Sequence, residues 1–63
     1  MMTTSEFILP NDEILYRDFG NYTLQVGDEI RYKNQIYVIT RKIYDIHLCQ
    51  HEFFVRKVND CYL

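Results

Sequence analysis

His47, Cys49 and His51 stand at alternate positions, and Cys61 follows further along the chain. Imidazole nitrogens and thiolates are zinc ligands, so this spacing is the first place to look for chemistry. On a β-strand alternate side chains point the same way, with about 6.6–6.8 Å between their Cα atoms, close enough for two neighbours to share one ion. His47 and His51 would stand about 13 Å apart on a straight strand, so three donors converge only through a bulge or a turn. The plainer arrangement is a buried Cys49 between two partly exposed imidazoles, and no metal ligand is assigned. No basic neighbour or helix start is placed to activate Cys49 as a nucleophile. The acids Asp12-Glu13 and Asp28-Glu29 are adjacent pairs, which a strand sends to opposite sides, whereas catalytic carboxylates must converge. With two glycines in the chain there is no phosphate-cradling loop, and no Ser-His-Asp order is present. The expectation is a non-enzyme with no catalytic residue, no cofactor and no small-molecule substrate.

Recognition chemistry is better represented. Arg31, Lys33, Arg41, Lys42, Arg56 and Lys57 are interleaved with Tyr32, Tyr37, Tyr44 and Phe54. If strands gather them, they make a cationic face with stacking rings, as single-strand-binding barrels do. The overall balance of seven basic against nine acidic residues, net charge −2, supplies no positive field, so nucleic acid is the alternative partner and not the first. Six tyrosines in so short a chain cannot all be buried with satisfied hydroxyls, and tyrosine is favoured where one end of a side chain is dry and the other wet. The leading reading is therefore a non-catalytic interaction module that self-associates, as a homodimer or larger, or docks on a protein partner. Its surface is assigned to Tyr32, Tyr37, Tyr44, Phe53 and Phe54, with Arg41 and Arg56 at the rim, because aromatic and arginine side chains carry a large share of interface energy.

These residues must be positioned by a small framework. A chain of 63 residues buries only about 60% of the surface it exposes when unfolded, so its core needs help. Ten Phe and Tyr residues offer that help through packing, and an assembly would add to it. Two late cysteines and a start without a basic, apolar signal point to a reducing, cytoplasmic setting with both thiols reduced. The longest apolar run, residues 36–39, is far below the roughly 18 residues of a membrane span.

One domain is expected over residues 1–63, with residues 1–5 a frayed terminus and residues 59–63 a short tail. Residues 6–9 form a short apolar stretch closed by Pro10-Asn11-Asp12. Residues 11–18 read as a strand over 14–17 or, alternatively, as one short helical turn near 11–17 capped by Asn11 or Asp12. After the Gly20-Asn21 turn, Tyr22, Leu24 and Val26 alternate with Thr23 and Gln25 as a half-buried strand. Residues 29–40 read as a hairpin turning at Asn34-Gln35, or over a longer turn that includes Lys33. The second strand runs on through Tyr44, turns near Asp45, and returns over residues 46–58. Both parities of that last run carry apolar residues, and a β-bulge near residues 50–53 would reconcile them.

Across residues 26–39 the pattern is apolar-Gly-Asp-x-apolar-x-Tyr, a polar turn, then apolar-Tyr-Val-apolar. This segment resembles one common in small SH3-like barrels, including those of bacterial regulatory proteins and small bacteriophage proteins. The resemblance spans about a quarter of the chain and carries fold information, not an activity. It implies a mostly-β domain, a small SH3-like barrel of about five antiparallel strands.

Overall fold

The structure, a computed structural model, describes residues 3–58. It is mostly β, with five strands and no helix among the described residues: β1 (Thr4–Ile8), β2 (Ile14–Asp18), β3 (Glu29–Tyr32), β4 (Gln35–Asp45) and β5 (Gln50–Lys57). They form one curled sheet, a half-barrel, in the order β2-β1-β5-β4-β3. Three of the four strand pairings are antiparallel as the sequence suggests, but β1 and β5 lie parallel, so the expectation of antiparallel strands throughout is corrected. The pairing brings Phe7 beside Phe53, the two rings stacked with centroids 5.1 Å apart. Burial of these rings together adds to the ladder that joins the first and last strands.

The ambiguity over residues 11–18 resolves to strand β2. Asn11 Oδ1 accepts from the Glu13 amide at 3.1 Å, making an Asx turn in place of a helix cap, and Asp12 takes a positive φ of 70° that ends the turn. The expected fraying of residues 1–5 is corrected at Thr4 and Ser5, which belong to β1. Ser5 is fully buried, and its hydroxyl donates to the Gly20 carbonyl at 2.6 Å. Residues 22–26 are not a sheet strand. Their alternation is real, since Tyr22 and Leu24 pack on the core while Thr23 and Gln25 face out, but the segment pairs with no strand among the described residues.

The hairpin turns at Lys33-Asn34, one residue earlier than Asn34-Gln35. Both central residues have positive φ, 50° and 65°, the mirror-image turn whose twist matches that of the flanking strands. The register break falls in β4 and not in β5. Ile39 opposes Val55 while Arg41 opposes Phe54, leaving Thr40 as the extra residue, its hydroxyl donating to the Phe54 carbonyl at 3.1 Å. Residues 46–49 form the turn into β5, with Asp45 Oδ1 accepting from the Leu48 amide and Cys49 at a positive φ. With β5 beginning at Gln50, a single parity, Phe53 and Val55, faces the core without any bulge of its own.

The core is Phe7, Ile39, Phe53 and Val55, extended by Leu9, Leu15, Tyr22, Leu24, Ile30 and Tyr37. A second bulge aims β3. The Gly27 amide donates to the Ile39 carbonyl and the Ile39 amide donates to the Asp28 carbonyl, so two residues face one. Gly27 carries φ of +98° there, a conformation that L side chains rarely adopt. Residues 59–63, the expected tail with Cys61, lie outside the described residues.

Candidate functional site

The two edge strands of the sheet, β2 and β3, face one another across the open side of the half-barrel. No Cα of β2 lies within 8 Å of one in β3, well beyond the ~4.8 Å spacing of paired strands. Side chains bridge this gap instead: the Tyr16 ring from β2 meets the Tyr32 ring from β3 at 5.3 Å. Between the edges runs an apolar groove of about 290 Å³, floored by Phe7 and walled by Leu15, Tyr16, Tyr22, Leu24, Ile30 and Tyr32, with Arg31 at its margin.

Asp18 organises the tyrosines beside the groove. Its Oδ2 accepts hydroxyl hydrogen bonds from Tyr22 at 2.7 Å and Tyr16 at 3.1 Å. A phenol that donates to a carboxylate loses that bond and gains a like-charge neighbour when it ionises. The Tyr22 pKa is accordingly pushed up to about 12, with desolvation adding to the effect, and that of Tyr16 is raised for the same leading cause. Further along the same cross-strand row, beyond Ser5 and His51, the Tyr44 phenol is raised by desolvation first, then by the neighbouring Cys49 thiol.

The surface residues expected from sequence divide. Tyr32 lines the groove, and Tyr44 is exposed over His51 at a ring separation of 4.7 Å. Phe53 is 0% exposed and is corrected from surface to interior, whereas Tyr37 is half-buried with one side packed on the core. The cause is the register: cross-strand partners share a face, and Phe53 stands beside Phe7 while Tyr37 stands beside Ile30. Phe54 is half-buried on the outer face, where the Arg41 guanidinium lies 5.9 Å from its ring centroid. Arg56 is exposed on that face, opposite Val38.

The six basic residues do not gather. Arg31, Arg41 and Arg56 lie on the outer face, opposite Ile36, Phe54 and Val38. Lys42 and Lys57 lie on the core face, opposite Phe53 and Tyr37, and Lys33 sits in the turn with its ammonium 5.5 Å from the Tyr32 ring centroid. The His-x-Cys-x-His spacing does not converge either, because His47 and Cys49 belong to the turn and only His51 to a strand. No group of three metal-ligating side chains occurs among the described residues.

One row of polar residues invites a catalytic reading. Asp18, Ser5 and His51 stand side by side across β2, β1 and β5. A proton relay needs the imidazole between the acid and the hydroxyl, and here the serine is in the middle, donating to a backbone carbonyl while Asp18 is occupied by phenols. The row is not hydrogen-bonded from member to member: Asp18 Oδ1 and His51 Nδ1 are both buried without a hydrogen-bond partner among the described residues. On the outer face Glu6 and Glu52 stand in register on adjacent strands, and Gln50 Nε2 donates to both, at 3.3 and 3.0 Å, while Arg17 pairs with Glu6 at 3.2 Å.

Sequence reading missed Tyr16, Tyr22, Asp18 and Phe7 as site residues. The alternation of Tyr22 and Leu24 was the available signal, and what concealed its meaning is that the segment packs beside the sheet without joining it. No helix among the described residues is long and apolar enough to cross a membrane. Comparison with protein-family models, with curated proteins and with solved structures finds no match to this chain.

Proposed function

We propose that this chain is a non-catalytic protein-interaction module of the small SH3-like barrel type, from a bacterial or bacteriophage protein, acting in the cytoplasm. The observation that carries the reading is the open side of the half-barrel, where an aromatic groove lies between two sheet edges that no other strand covers among the described residues. Unpaired edges recruit strands, and aromatic grooves supply the apolar anchoring that gives such contacts their energy. Large apolar side chains on the edge strands or close to them in sequence, Ile14, Tyr16, Phe19 and Val26, are also left exposed. Self-association and docking on a different protein both use it. Nucleic acid is the less favoured partner, because the basic side chains are spread over both faces and the turn.

A benzophenone amino acid placed at Tyr32, and in a second version at Ile46 on the exposed β4–β5 turn, tests the reading by photo-crosslinking at low and high salt. Protein adducts that form from position 32, persist at high salt and disappear when Leu24 is replaced by Glu support it. Adducts that form only from position 46, or from neither position, refute it. Nucleic-acid adducts that vanish at high salt would instead favour the alternative partner.

A further inference from the structure

The free edge of β3 has the backbone phase and the charge order to pair with a second copy of itself. Hydrogen bonding at Asp28 and Ile39 fixes the phase of the β3–β4 ladder. From there Ile30 pairs with Tyr37 and Tyr32 with Gln35 through exchanged hydrogen bonds, while Glu29 and Arg31 occupy the intervening positions. The amides and carbonyls of Glu29 and Arg31 therefore point away from β4, out of the sheet. Both side chains are exposed, on the same face of the strand.

We propose that β3 pairs antiparallel with β3 of a second copy across a two-fold axis at Ile30. This deepens the interaction reading by naming the partner, and rests on it. In that register Glu29 of each copy faces Arg31 of the other. These are the two positions whose backbone groups point outward, so the pairing makes four ladder hydrogen bonds with opposite charges across each pair. Sliding the axis to Glu29 or to Arg31 would centre the contact on two like charges, which disfavours those registers. The axis at Ile30 also sets the two Ile30 side chains against each other beside the groove, extending the apolar surface that a 63-residue core lacks.

The test uses the full chain and its charge reversals in light scattering across a dilution series. Wild type is expected to shift from monomer to dimer, and Arg31→Glu and Glu29→Arg each to weaken the dimer roughly tenfold or more, since each turns two attractive pairs into two repulsive ones. An equimolar mixture of the two variants restores dimerisation, because Glu then faces Arg in both pairs of the mixed dimer. Hydrogen exchange on wild type gives a readout that needs no variant: raising concentration protects the amides of Glu29 and Arg31 while those of Ile30 and Tyr32, already in the ladder, change little. A wild type that stays monomeric overturns the proposal and leaves the groove to a foreign partner. A dimer that ignores both reversals also overturns it, and places self-association on another surface.

Discussion

Phe53 and Phe54 are neighbours of the same type, and replacing each in turn tests the register on which every face assignment depends. Phe53 is fully buried, stacked on Phe7, with the Lys42 ammonium 5.9 Å from its ring centroid. Truncating such a ring to Ala costs about 3–5 kcal/mol through lost burial and the cavity left behind. Total stability for a domain of 63 residues is about 3–9 kcal/mol, so Phe53→Ala should leave the chain at or past its unfolding threshold. Phe53→Leu retains aliphatic burial but loses the ring stack and part of the volume, for a cost of about 1–3 kcal/mol. At about 4–8 °C per kcal/mol, its melting midpoint should fall by roughly 4–24 °C. Phe54→Ala, from a half-buried position on the outer face, should cost about 1 kcal/mol or less. Far-UV circular dichroism melts of the three variants measure the contrast. A Phe53→Ala protein that melts cooperatively within about 0.5 kcal/mol of wild type, with Phe54→Ala unfolded, would show that β5 faces the other way.

Other measurements reach the remaining features. Because the Tyr22 pKa is higher in the folded state than in the unfolded one, its contribution to stability is complete below pH 10 and is lost as pH rises towards 12. Urea titrations over that range should show wild type declining and Tyr22→Phe declining less, and equal slopes would refute the Asp18 hydrogen bond as the cause. Gly27→Ala should destabilise by about 1 kcal/mol in chemical denaturation purely through its backbone, since a Cβ there meets nothing within 4 Å. Gln50→Leu should cost about 1–3 kcal/mol by removing the amide shared between Glu6 and Glu52, and most of that loss should vanish in a Glu52→Gln background. Equal losses in both backgrounds would mean that Gln50 stabilises by some other route.

The parts of this fold that the sequence made legible are those whose signals are local. The β3–β4 hairpin follows from β-rich alternation around a polar dipeptide, and the apolar-Gly-Asp step before it is the turn in which Asp28 Oδ2 accepts from the Gln25 amide at 2.8 Å. What stayed hidden depends on contacts between distant segments. Phe53 and Phe54 are indistinguishable by type, and only the parallel pairing of β5 with β1 decides which of them meets Phe7. The bulge that bends the sheet sits at Thr40, inside an unbroken β-rich run, because the need for it comes from curling β4 around the core and not from any residue that marks it. The groove was illegible for the same reason. Tyr16 and Tyr32 come from the two edges of the sheet, and only its curl brings their rings together.

The same curl ties the stability problem to the proposed interaction surface. Bending the sheet lets four core side chains meet, but five short strands do not go all the way round, and closure is left to two tyrosine rings across a gap wider than one strand spacing. An open sheet must blunt its edges, and this one does so unevenly. Along β3 the outward backbone groups belong to Glu29 and Arg31, charges that discourage arbitrary partners yet complement each other when the strand meets its own antiparallel copy. Aromatic surface beside those edges adds attraction without choosing a partner, whereas the order of charges along the edge supplies the choice. On the proposed pairing, specificity belongs to the edge and affinity to the groove, so substitutions at Glu29 or Arg31 should redirect pairing while substitutions at Tyr32 or Leu24 should weaken it whatever the partner.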